Sequence, residues 1–78
     1  MTLYGEIVVL NKKSIVFTDY QVRIAQLIAD DYRVKEVAKM VGLSFQSIQK
    51  HLLIMKKKLG LQSTPALVAL LYQEKIIK

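Results

Sequence analysis

At Thr18 the apolar positions of this chain change from strand-like clusters to helical spacing. Before it, Ile7-Val8-Val9-Leu10 and Ser14-Ile15-Val16-Phe17 flank the polar tripeptide Asn11-Lys12-Lys13. Short β-branched runs around such a turn predict a hairpin, with strands over Leu3–Leu10 and Ser14–Phe17. An isolated hairpin is marginal in water, so it must pack on the helices or pair with another chain. The alternative is an extended arm that orders only against a partner.

Thr18-Asp19-Tyr20-Gln21 has the form of a capping box and opens a first helix that runs to about Asp30. Asp19 places negative charge where the helix dipole favours it. Ile24, Leu27 and Ile28 share a face, with Gln21 or Tyr20 a turn earlier. Asp31-Tyr32 is the connection, although glycine is the usual residue after a helix. The second helix covers Val34 to Val41 with Val37, Ala38 and Val41 inward. Arg33 is a poor capping residue, and Glu36 compensates through the dipole.

Gly42 ends that helix, Leu43 plugs the turn, and Ser44 caps a third helix that closes at Gly60. Ile48, Leu52, Met55 and Leu59 form its core stripe. Gln46, Gln49, Lys50, Leu53 and Lys57 fall on the other side. Thr64-Pro65 reads as a cap followed by a first-turn proline, starting a fourth helix. Leu67, Val68, Leu70 and Leu71 give that helix more apolar surface than one packing face uses. Leu70 or Leu71 is therefore left over for a second protomer, and Leu67, Leu70 and Leu71 are the expected dimer contacts.

Ala38, Gly42 and Ile48 sit at helix-turn-helix offsets. A small residue lets the second helix approach, a glycine takes the positive-φ turn, and an apolar residue locks the pair. The third helix is then the element expected to enter a DNA major groove.

The charge sharpens this picture. Arg33, Lys35, Lys39, Lys50, Lys56, Lys57 and Lys58 face one acid, Glu36, between residues 33 and 60, in a chain of net charge +6. A local excess of this kind suits a polyanion. A solvated, solubilising lysine surface is the competing explanation for charge alone. Seventy-eight residues make a single domain, divided here into an arm (1–17) and a helical unit (18–78). There are no cysteines for a disulfide or a thiolate zinc site. No apolar run reaches the ~18–20 residues of a membrane span, and the N-terminus lacks the pattern of a signal peptide.

Several stretches together resemble the LuxR/GerE-type helix-turn-helix family of bacterial transcription regulators. They are Phe17-Thr18, Leu27-Ile28-Ala29, Lys35-Glu36-Val37-Ala38, Leu43-Ser44, Ser47-Ile48, His51 and Lys58-Leu59-Gly60-Leu61, in ungapped spacing across residues 17–77. The resemblance implies an all-α, four-helix domain, with the N-terminal hairpin or arm outside it. It also implies homodimeric binding to double-stranded DNA, the third helix in the major groove and the fourth at the dimer contact. Base-facing positions map to Gln49, Lys50 and Leu53, and phosphate-facing ones to Ser44, Ser47 and Lys58. The chain departs from the family pattern at Tyr20-Gln21 (usually Arg-Glu), Asp31 (glycine), Gln49 (lysine) and Thr64 (arginine).

Residue chemistry fills out the site. Gln49 can pair bidentately with adenine, Lys50 can reach a guanine or a phosphate, and Leu53 suits a thymine methyl. Gln46 joins them as a base-contacting candidate. Lys35 and Lys57 join Ser44, Ser47 and Lys58 as phosphate contacts; Ser44 and the amides behind it form an anion seat. His51 is the single histidine and reads as a packing and hydrogen-bonding residue. No cofactor, metal, small-molecule ligand or membrane partner is expected, and no enzymatic constellation can be assembled.

The expected protein is a sequence-specific transcription regulator, cytoplasmic and nucleoid-associated when DNA-bound. Met1 and the strand-rich lead-in favour a stand-alone regulator over an excised output domain. The rival function is a helix-turn-helix scaffold that docks RNA polymerase or another regulator, for which Leu53 and Ile54 would supply exposed apolar surface.

Overall fold

The computed structural model describes the backbone of residues 6–10 and 13–78 and the side chains of residues 16–78. Two strands, β1 (Glu6–Leu10) and β2 (Lys13–Phe17), precede four helices, α1 (Asp19–Ala29), α2 (Val34–Val41), α3 (Phe45–Leu59) and α4 (Thr64–Gln73). The strands pair antiparallel from Glu6↔Phe17 to Leu10↔Lys13. Lys13, expected in the turn, is thus the first residue of β2. Leu3 and the Asn11-Lys12 part of the expected turn lie outside the described residues.

The helix starts follow local chemistry. At α1 the Gln21 N–H donates to the Thr18 hydroxyl at 3.1 Å, and the Thr18 N–H donates to Gln21 Oε1 at 3.1 Å. This completes the capping box, and it lets Gln21 be buried with its oxygen satisfied. Tyr20, the other candidate for that inner position, is exposed. At α2 the Glu36 carboxylate accepts from the Arg33 N–H at 3.0 Å, which supplies the end with a partner although the Arg33 side chain caps nothing. For α4 the cap is Ser63, not Thr64: its hydroxyl accepts from the Ala66 N–H at 3.2 Å. Proline tolerates the resulting one-residue shift because the first-turn amides have no helical partner to lose.

Every helix ends through a left-handed residue, namely Asp31 (φ 74°), Gly42 (φ 75°), Gly60 (φ 69°) and Lys75 (φ 61°). Behind each, the next amide reaches back across the last turn: Tyr32 to Leu27, Leu43 to Ala38, Leu61 to Lys56 and Ile76 to Leu71. These bonds satisfy carbonyls that a helix end would otherwise leave open. At Asp31 and Lys75 the motif is built without glycine.

The core gathers Phe17, Ile24, Ala25, Val37, Ala38, Ile48, Leu52, Met55, Leu67, Leu71 and Ile77 from β2, all four helices and the C-terminal segment. Ala38 is buried beneath α3, Gly42 turns the chain, and Ile48 is fully buried, as the helix-turn-helix offsets require. Phe17 belongs to the helical core although it is the last residue of the hairpin.

Two apolar assignments need correction. Leu67 and Leu71 are both 0% exposed within the single chain, so they cannot serve as free dimer contacts. Four residues apart on α4, they form the inward stripe that closes the bundle, and only Leu70 of the three keeps partial exposure. Ile54, expected on the surface, is half-buried.

Candidate nucleic-acid interface

The core stripe of α3 fixes what its opposite side displays. Ile48, Leu52 and Met55 are buried, so Gln46, Lys50, Leu53 and Lys57 form an outward ridge at i, i+4, i+7 and i+11. All four are exposed; Leu53 keeps 48% of its surface in solvent. The ridge therefore alternates amide, ammonium, methyl groups and ammonium. That mixture can donate and accept at base edges, touch a methyl group and neutralise phosphate.

Gln49 is also exposed, but it lies on the flank of α3 that faces the α1–α2 connection. There it lines an open groove of about 470 Å³ with Asp31, Tyr32, Arg33, Lys56 and Thr64 above Leu52. A second groove, about 630 Å³, adjoins it across Arg33 and Val34 and is lined by Lys35, Glu36 and Phe45. Arg33 and Lys56 are thus brought beside Gln49. Their spacing of more than twenty residues hides this from a reading of sequence alone.

At the start of α3 the Ser47 N–H donates to the Ser44 hydroxyl at 3.1 Å, and the Ser44 hydroxyl donates to Ser47 Oγ at 3.0 Å. The two expected phosphate-facing serines therefore stand together at the helix N-terminus, where amide dipoles favour an anion. Lys35 is exposed in the first turn of α2 and Lys57 on the ridge. Lys58 is directed elsewhere: its ammonium donates to the Val16 carbonyl at 2.8 Å and lies 5.7 Å from the Phe17 ring centroid. His51 is half-buried, and its Nδ1 meets no hydrogen-bond partner among the described residues.

The family model for bacterial regulatory proteins of the luxR family (GerE) matches residues 16–71. The chain belongs to the LuxR family. Among solved structures, this LuxR-family domain is similar to one described as the structure of transcription factor GerE. The two superpose with a TM-score of 0.77 at 21% sequence identity, covering 80% of this chain and 92% of that one. That likeness establishes the shared fold of helices, with the turn of the helix-turn-helix at Gly42. No curated protein matches the chain. Among the described residues, no helix is long and apolar enough to cross a membrane.

Proposed function

We propose that this LuxR-family domain is a sequence-specific transcription regulator that binds double-stranded DNA with α3 in the major groove. The observation that carries the reading is the exposed ridge Gln46–Lys50–Leu53–Lys57, held outward by the buried stripe Ile48–Leu52–Met55. Gln46 and Lys50 are positioned for hydrogen bonding to base edges, and Leu53 for a thymine methyl. Gln49 reads from the flank. Ser44, Ser47, Lys35 and Lys57 grip the backbone and set the register.

The functional unit in this reading is a homodimer formed through α4. With Leu67 and Leu71 committed to the core, Leu70 and its exposed neighbours Ala69 and Tyr72 supply the contact. Dimeric binding would place two α3 helices about one helical turn of DNA apart, or a multiple of it. The protein would then act in the bacterial cytoplasm, on the nucleoid. A protein-docking role, with RNA polymerase as partner, draws support from the exposed Leu53 and Phe45. The alternating lysines of the ridge favour DNA over it.

Selection of genomic fragments by the purified protein tests the proposal. Enrichment of a common site with two related halves is the expected result. A pool that stays random after repeated rounds contradicts sequence-specific recognition.

A further inference from the structure

The groove beside Gln49 has a chemistry that the α3 ridge leaves unused. Its lining combines apolar Ile28, Val34 and Leu52 with Arg33, Lys56, Tyr32, Gln49 and Thr64. Arg33 is anchored through its main chain, whose N–H is taken by Glu36 at 3.0 Å, and it is an exposed residue of the groove lining. Lys56 is half-buried, so part of its stem is covered while it lines the same groove. An arginine and a lysine from separate elements thus line one opening, together with a tyrosine, a threonine and a glutamine. Asp31 is the carboxylate in the lining.

We propose that this groove seats a backbone phosphate of the bound duplex, with Arg33 and Lys56 as its cationic ligands. The inference rests on the DNA-binding reading and adds to it an interaction outside the major groove. It widens the footprint along one flank of α3 and gives Gln49 a neighbour that fixes its reach. A guanidinium can meet two phosphate oxygens at once, whereas an ammonium acts as a point charge, so Arg33 sets the geometry and Lys56 adds attraction. Asp31 opposes the anion, which keeps the seat dependent on both cations. A phosphate of the duplex, rather than free phosphate, is the chosen occupant because the lining includes Gln49 and Lys56 of α3, the chain neighbours of the ridge residues Lys50 and Lys57.

The test is the salt dependence of duplex affinity for the wild type and for the Arg33→Ala/Lys56→Ala double variant. Removing one cation that neutralises a phosphate lowers the slope of log K against log salt by about 0.9. Between 50 and 200 mM salt the double variant should therefore lose about three- to fourfold less affinity than the wild type for each protomer bound, and about twelvefold less for a dimer with two seats. Arg23→Ala, which removes an exposed α1 cation outside the groove, should leave the slope unchanged. Adding Gln49→Lys and Thr64→Arg to the double variant returns cations to the same groove and should restore the slope. A merely structural role for Arg33 or Lys56 would not be rescued in that way. A slope equal to wild type in the double variant overturns the phosphate seat, while steep wild-type binding leaves the DNA reading standing. A flat wild-type response overturns the DNA reading itself. A groove that takes only free phosphate would leave the duplex slope untouched and so counts against the proposal.

Discussion

The Lys58 ammonium donates to the Val16 carbonyl at 2.8 Å and so fastens the end of α3 to the end of the hairpin. The same ammonium stands 5.7 Å from the centroid of Phe17, the β2 residue sunk into the helical core. One cation therefore ties the arm to the element that carries the candidate DNA ridge. Lys58→Ala should lower stability by about 1 kcal/mol, the scale of a charge-assisted hydrogen bond in a wet setting. Denaturant titration reads this as a lower midpoint with an unchanged m-value. The salt slope for DNA should remain that of wild type, which separates Lys58 from Lys57.

Asp31 closes α1 in the left-handed region with φ 74°. Side chains other than glycine meet a steric cost there, although aspartate is among the better tolerated. Asp31→Gly should stabilise the fold by about 0.5–1 kcal/mol. For a domain of this size that corresponds to a rise in melting temperature of about 2–8 °C. A calorimetric scan that finds the variant unchanged or less stable contradicts strain at Asp31.

The Gln26 amide holds the end of the chain at two points. Its Nε2 donates to the Lys78 carbonyl at 2.7 Å, and its Oε1 accepts from the Lys78 N–H at 2.8 Å. Ile77, between this grip and α4, is only 2% exposed. Gln26→Ala should cost about 1–2 kcal/mol, and amide exchange should rise first at Ile76 to Lys78. Exchange that rises equally throughout the chain would argue against a local clamp.

Leu70 and Leu71 separate dimer from core. Leu71→Ala should cost about 2–5 kcal/mol, because it empties a fully buried site. Leu70→Glu should leave the protomer folded and reduce self-association, as read by sedimentation with and without DNA. A monomer in both proteins under both conditions contradicts an α4 dimer.

Much of the fold was legible because local and long-range signals agree. The capping box at Thr18, the turn glycine Gly42, Ser44 and the Ile48–Leu52–Met55 stripe all point to the same helices. The α4 cap is not fixed to one residue by the sequence, because Ser63 and Thr64 are equivalent cap formers and proline fits either register. Which α4 leucines face inward was illegible, since Leu67, Val68, Leu70 and Leu71 leave almost no polar face to set the phase. The α3 ridge followed from helical period alone. The groove that joins Arg33 to Lys56, the Lys58–Val16 bond and the Gln26–Lys78 grip depend on tertiary approach, and no local pattern encodes them.

Salt dependence of duplex affinity bears most directly on α3 as a DNA-binding helix. Lys35, Lys57 and the groove seat predict three phosphate contacts for each protomer, six for a dimer, and so a fall of about 1,000-fold between 50 and 200 mM salt. Lys50→Ala/Lys57→Ala should make that fall shallower. Affinity that is flat across this range, with both proteins alike, would contradict the assignment of α3 as a DNA-binding helix.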